Sequence, residues 1–241
     1  MNPIGSIKRR LHRDIVADPV LHARVLNLYL CGEAYPHVVD DYFPVDHVAE
    51  VSGPELAATM AEHMADEDKH IALYAKAIHK LGEEVIDLPE ADIFNHVIRS
   101  HTPEPWKVEA SMNADQKRDR IANFLAHAHW LEKRIARSLE YHFDACAQAA
   151  SDYPAKAVGA VLGDEQRHMR YTREAVFDLV PKRRAVEIIA SHRRAESRAN
   201  LDFSSRELRR LLVDEGERWP ATRKLSYRVC AFVMEGVLAC A

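Results

Sequence analysis

With 241 residues the chain has the length of one domain, with or without an extension, and can bury a substantial core. Its 33 Lys and Arg against 37 Asp and Glu give a net charge of -4 with both signs interspersed, which disfavours non-specific binding to nucleic acid or to an anionic membrane. Cys31, Cys146, Cys230 and Cys240 form no C-x-x-C pair, which argues against a zinc ribbon, a rubredoxin-like iron site or a disulfide scaffold, and a reducing cytoplasm is the expected compartment.

The opening "MNPIGSIKRRLHRDIVADPV" holds no apolar run of signal-peptide length. No stretch approaches the roughly 18 uncharged apolar residues of a membrane span. Eight glycines, abundant Ala, Leu, Glu, Lys and Arg, and almost no two-residue alternation predict an all-helical chain. A first helix is expected from Pro19 to about Val39. A second begins near Ser52, Pro54 and Glu55, where Ser and Glu have capping-box spacing, and ends at Gly82. Residues 83 to about 112 carry Pro89, Pro103 and Pro105 and are too long and broken for a tight hairpin, so they read as a crossover between two helix pairs.

Asn113 and Gln116 mark the start of a third helix, and a fourth runs from Asp152 and Pro154 to just before Pro181. One or two basic helices follow. The paired Arg193 and Arg194 there read as a solvated face. The apolar end "LSYRVCAFVMEGVLACA", interrupted by Arg228 and Glu235, reads as a buried or interface helix, which would suit a homodimer. The division expected is therefore a four-helix unit with an N-terminal segment over 1–181 and a helical extension over 182–241.

Two segments repeat one pattern: "ADEDKH" at 65–70 and "GDEQRH" at 163–168. Glu67 and His70 lie three apart and so share a face, and both interrupt the apolar stripe of the second helix. Glu165 and His168 do the same on the fourth. Glu33 continues the row of Leu26, Tyr29 and Leu30, while Glu132 lies on the row of Ile121, Leu125, Ala128, Ile135 and Leu139. Each single acid precedes its paired motif by nearly the same distance, 34 residues in one half and 33 in the other. Asp40 or Asp41 could stand in for Glu33; Glu140 could replace Glu132 but lies about 80° off the stripe.

Four unpaired carboxylates in an apolar interior would each be penalised by several kcal/mol on an order-of-magnitude scale. Two divalent cations, held with neutral imidazoles, balance them. Such oxygen-rich ligation suits iron or manganese better than structural zinc. Asp66 and Asp164, just before each motif Glu, are candidates to accept the second N–H of a ligating histidine. His63, one turn before Glu67, reads first as a hydrogen-bonded core histidine, with an extra metal ligand or a group bonded to a ligand as the alternatives. Tyr29, Tyr74 and Tyr171 would flank the site, mainly as packing. Pro36 should kink or bulge the first helix beside Glu33, and Cys31 faces away from Glu33.

These residues resemble the ferritin-like carboxylate-bridged di-iron superfamily, whose pattern is one Glu on each of two helices and Glu-x-x-His on the other two. "DEDKH" and "DEQRH" are similar to the motifs of its oxygen-activating branch, which includes acyl-carrier-protein desaturases and bacterial multicomponent monooxygenases. The resemblance covers about residues 20–180. It implies a four-helix bundle with a long crossover between its second and third helices, and metal ligands Glu33, Glu67, His70, Glu132, Glu165 and His168. It also implies two iron ions, an oxidoreductase that activates dioxygen to oxidise an organic substrate, and an external electron donor, because no flavin, nicotinamide or iron-sulfur signature is present. A ferroxidase or iron-handling protein and a manganese-type catalase are the other activities of this architecture.

Overall fold

The computed structural model describes residues 3–39, 43–102 and 106–240. All regular structure among the described residues is helical: nine α-helices and two short 3-10 turns. In chain order they are α1 (Pro3–Val16), α2 (Pro19–Val38), α3 (Val45–Ser52), α4 (Pro54–Lys80), α5 (Phe94–His101), α6 (Ala114–Gln148), α7 (Asp152–Leu179), α8 (Lys182–Asp214) and α9 (Ala221–Cys240).

Local chemistry sets most of the boundaries. At the start of α2, Asp18 accepts the backbone N–H groups of Val20 and Leu21 at 3.0 and 3.3 Å, and Pro19 occupies the first turn, where its missing N–H costs nothing. The helix continues for two residues beyond Pro36. At the start of α6 the expected capping box forms: the Gln116 N–H donates to Asn113 Oδ1 at 3.0 Å, and the Asn113 N–H donates to Gln116 Oε1 at 2.9 Å.

The start of α4 corrects the sequence reading. Ser52 closes α3 instead of capping α4, and the chain reverses at Gly53 with φ 91°, which glycine adopts without a Cβ penalty. Glu55 therefore has no capping-box partner in Ser52.

Contacts between side chains fix the directions of packing. The pairs Glu33–His70 and Asn27–Ile86 make α2 antiparallel to α4 and its continuation. His63–Tyr171 and His70–Asp164 make α4 antiparallel to α7. His129–Met169 and the approach of Phe143 to Gly159 do the same for α6 and α7. Tyr29–His142 and His22–Cys146 run α2 antiparallel to α6. Between these helices lies a continuous core that includes Leu26, Tyr74, Ile78, Phe124, Leu125, Val158, Val161 and Val176, each buried. Burying a side chain of this size contributes about 1.5–3 kcal/mol.

The segment between α4 and α6 is more ordered than its prolines suggest. Ile86 is clasped by Asn27, which receives the Ile86 N–H at 2.7 Å and donates to the Ile86 carbonyl. Further on, α5 inserts Val97 and Ile98 beside Leu131 of α6 and Ala199 of α8. Pro103, Pro105, Asp40 and Asp41 lie outside the described residues.

The region after Pro181 is one long basic helix, α8, and then α9. α8 packs on α5, α6 and α9. The apolar terminal helix is not buried as a whole: Tyr227 and Ala231 are enclosed, whereas Leu225, Val229, Phe232, Val233 and Val237 are exposed. No helix among the described residues is long and apolar enough to cross a membrane.

Candidate metal centre

Glu33 comes from α2, Glu67 and His70 from α4, Glu132 from α6, and Glu165 and His168 from α7. Each is at most 5 % exposed, so four carboxyls and two imidazoles are sealed in the helical core. Helical spacing accounts for this arrangement, because Glu-x-x-His places both groups of a motif on one face and that face is the core stripe.

The donor atoms converge in two groups. In one, His70 Nδ1 lies 3.5 Å from Glu33 Oε2 and 3.8 Å from Glu165 Oε1. In the other, His63, Glu67 and His168 bring their donor atoms within 4.8 Å of one another. Glu132 stands beside this second group, with Oε1 3.6 Å from His63 Nε2, and Glu165 reaches both groups, its Oε2 being 3.1 Å from His168 Nδ1. Three buried polar atoms here have no hydrogen-bond partner: His63 Nε2, His70 Nδ1 and Glu165 Oε1. His63 Nε2 is only 2.8 Å from Glu67 Oε1, but the two atoms lie side by side without the alignment of a hydrogen bond. Lone pairs that crowd a common space at such separations fit divalent cations better than a hydrogen-bonded core.

The outer nitrogens of the two histidines are held crosswise. His70 on α4 turns Nε2 to Asp164 of α7 at 3.2 Å, and His168 on α7 turns Nε2 to Asp66 of α4 at 3.3 Å. Each motif thus supplies the carboxylate for the histidine of the other. Such a bond places the proton on Nε2 and leaves the Nδ1 lone pair facing inward. Lys69 and Arg167, the basic residues before each histidine, bridge the aspartates: Lys69 to Asp66 and Asp164, and Arg167 to Asp164 and, at 2.7 Å, Asp66. The repeated Asp-Glu-x-basic-His pattern is therefore one interlocked cluster between α4 and α7.

Without a cation the carboxyls cannot all ionise. Burial, reinforced by Glu33, pushes Glu67 well above the usual carboxyl range; burial together with Glu132 and Glu33 does the same to Glu165. Burial and Glu33 raise Glu132 to about 8. Burial also pushes Glu33 upward, but a hydrogen bond from Glu67 and the nearby imidazoles of His70 and His168 outweigh it and hold that carboxyl below its ordinary value. Burial lowers His168 to about 4, and it lowers His63 well below the usual imidazole range with help from His168 and His70. Asp164, although burial opposes it, is held far down by Lys69, Arg167 and His70. His70, which burial alone would lower, is raised by Glu33 and Asp164, so the interior pairs neutral His63 and His168 with a more basic His70 and one favoured carboxylate, beside an Asp164 that stays charged.

His63 belongs to the cluster and is not merely a core histidine. Its ring stacks on His168 with centroids 3.6 Å apart, and its Nδ1 is 2.6 Å from the Tyr171 hydroxyl. The Tyr74 hydroxyl is buried without a partner, and Tyr29 packs on Tyr74 with centroids 5.7 Å apart. Glu140, the alternative to Glu132, lies outside the cluster and pairs with Arg137. Cys31 is buried beside Asn27 and the Ile86 carbonyl. A cavity of about 100 Å³ reaches Glu33, walled in part by Leu28, Tyr29, Phe94, Ile135 and Phe203.

A second group of donor side chains escaped the sequence reading. His22 of α2 meets His142 and Cys146 of α6, all fully buried. Only the four-residue spacing of His142 and Cys146 on an apolar face hints at it, because His22 stands 120 residues away. Comparison of the chain with protein-family models, curated proteins and solved structures finds no match.

Proposed function

We propose that the chain is a ferritin-like carboxylate-bridged dimetal oxidoreductase that binds two iron ions and uses dioxygen to oxidise an organic substrate. The observation that carries this reading is the enclosed set of four glutamates and two Glu-x-x-His histidines on four helices, with each histidine locked by the opposite aspartate. The helix directions support the architecture. With α2 antiparallel to both α4 and α6, the latter two run the same way, so the connection between them must travel the length of the four-helix unit, as a long crossover does.

Glu33, Glu67, His70, Glu132, Glu165 and His168 would hold the ions, with His63 poised beside them. Bound iron supplies the Lewis acidity and the electron exchange with dioxygen that no side chain here provides. The chain supplies position and exclusion of water. Asp66 and Asp164 keep the Nδ1 lone pairs of His168 and His70 directed inward, and Lys69 and Arg167 hold both aspartates in place and keep Asp164 ionised. Tyr171 holds His63 in place through Nδ1.

The cavity against Glu33 favours an organic substrate over ferrous ion. It shares Lys8, Leu28, Tyr29, Ser138, Phe203 and Ser204 with a second cavity of about 180 Å³ beneath α1, α8 and α9, whose other walls include Leu11, Ile15, Val25 and Leu211. The approach is largely apolar and leads to one edge of the cluster. Electrons would come from a separate reductant.

Oxygen uptake tests the proposal. Protein loaded with ferrous iron and supplied with a chemical reductant should consume dioxygen well above the rate of free iron, and Glu165→Ala should lose that excess. Uptake equal to that of free iron, or unchanged in Glu165→Ala, would overturn the reading.

A further inference from the structure

We propose that His22, His142 and Cys146 form a second metal site, separate from the carboxylate cluster, which takes one ion of the zinc class through two imidazole nitrogens and a thiolate. The three side chains are fully buried, and their donor atoms all lie within 4.8 Å of one another. His142 and Cys146 are one turn apart on α6 and face His22 across the α2 contact.

The separations suit tetrahedral ligation. Bonds of about 2.0–2.1 Å to nitrogen and 2.3 Å to sulfur place two ligand nitrogens about 3.4 Å apart and nitrogen about 3.6 Å from sulfur. His22 Nε2 lies 2.9 Å from His142 Nε2 and 3.7 Å from Cys146 Sγ. A shift of a few tenths of an ångström in the imidazole pair would complete the fit.

Hydrogen bonding alone leaves the group badly matched. Only one of the facing Nε2 atoms can carry a proton. If His142 donates, the single lone pair of His22 Nε2 must receive both that N–H and the thiol. If His22 donates, the thiol loses its acceptor and His22 Nδ1 is a buried lone pair with no donor. His12 of α1 packs edge-on against His142 and has its own partnerless Nδ1.

An ion uses all three inward lone pairs. His142 then keeps its proton on Nδ1 and donates it to the Tyr29 hydroxyl at 3.3 Å, the outer contact that ligating histidines characteristically make. Loading forms the metal–sulfur bond and releases the thiol proton to solvent, with no change in oxidation state. Tyr29 also packs on Tyr74, so two tyrosines separate this site from the carboxylate cluster.

Cobalt(II), a spectroscopic stand-in for zinc, gives the test, because a thiolate–cobalt charge-transfer band cannot arise from a carboxylate and imidazole centre. Full-length protein produced with cobalt in the medium should show the band at one equivalent per chain, and Cys146→Ala should lose it. Cys31→Ser, Cys230→Ser and Cys240→Ser, made singly, should each retain it, which secures the assignment even where Cys146→Ala does not fold. Absence of the band from the wild-type chain, its survival in Cys146→Ala, or its loss in one of the other three variants would overturn the proposal.

Discussion

Asp66 and Asp164 act on the centre without belonging to the inward-facing donor set. Each accepts a hydrogen bond from a histidine on the opposite helix, so Asp164→Asn should weaken metal binding about 10–100-fold by loosening His70, while helicity is unchanged. Competition against a chelator of known affinity measures this, and an unchanged affinity would mean the aspartate is only part of a surface ion-pair cluster. The sequence revealed both aspartates as partners of histidines, but it could not reveal that the partners are exchanged between α4 and α7. That exchange depends on the antiparallel register of two helices nearly a hundred residues apart. His63 was ambiguous for a similar reason, since its stacking on His168 and its bond to Tyr171 are tertiary contacts.

The same residues give the metal-free protein a particular pH dependence. Glu132, Glu67 and Glu165 have folded-state values raised above their unfolded ones, so the folded chain holds more protons and stability falls as pH rises toward those values. His168 and His63 act oppositely, but their effect is complete once pH exceeds the unfolded imidazole value of about 6.5. Between about pH 6.5 and 8 the carboxyls dominate, and the melting temperature of chelator-treated protein should fall across that window. Metal loading should remove the decline, because the ions favour the ionised carboxylates. A flat or rising melting temperature in the metal-free state would contradict the electrostatic picture.

Among the elements, α2, α4, α6 and α7 could be read from sequence because each is long and rich in buried apolar residues, although the start of α4 was misread at Ser52. The three helices that were missed are different. α1 presents Ile7, Leu11 and Ile15 at four-residue spacing among basic residues that obscure the stripe. α3 and α5 have eight residues each and are held mainly by packing, where intrinsic propensity decides little.

Two turns carry measurable consequences. Gly82 ends α4 with φ 86°, its N–H bonded to the His79 carbonyl and the following Glu83 N–H bonded to Ile78, so Gly82→Ala should cost about 1–2 kcal/mol in denaturant unfolding. Asn27→Ala should cost about 1 kcal/mol, since it releases both backbone bonds to Ile86. Protease cutting within 83–93 should rise in the same variant. No increase would show that the contact with Asn27 does not hold this segment.

At the scale of the whole molecule, the all-helical class was evident from composition, whereas the placement of the last sixty residues was not. Sequence cannot distinguish an apolar helix that is buried from one that covers only half of itself, and α9 is the second kind, with Phe232 and its apolar neighbours outward. The carboxylate cluster was legible because its spacing is written in the sequence twice, once in each half. The His22, His142 and Cys146 group follows no repeated spacing and appears only when α2 and α6 are set side by side.

Buried glutamates and histidines from four helices are proposed to hold two iron ions. Iron content per chain, determined on full-length protein purified without chelator and loaded anaerobically with ferrous iron, decides whether they do. The expected result is two irons per chain in the wild type and in Cys146→Ala, and none tightly held in the Glu67→Ala, Glu165→Ala double variant. A wild-type chain that retains no stoichiometric metal, or a double variant that retains both irons, would contradict it.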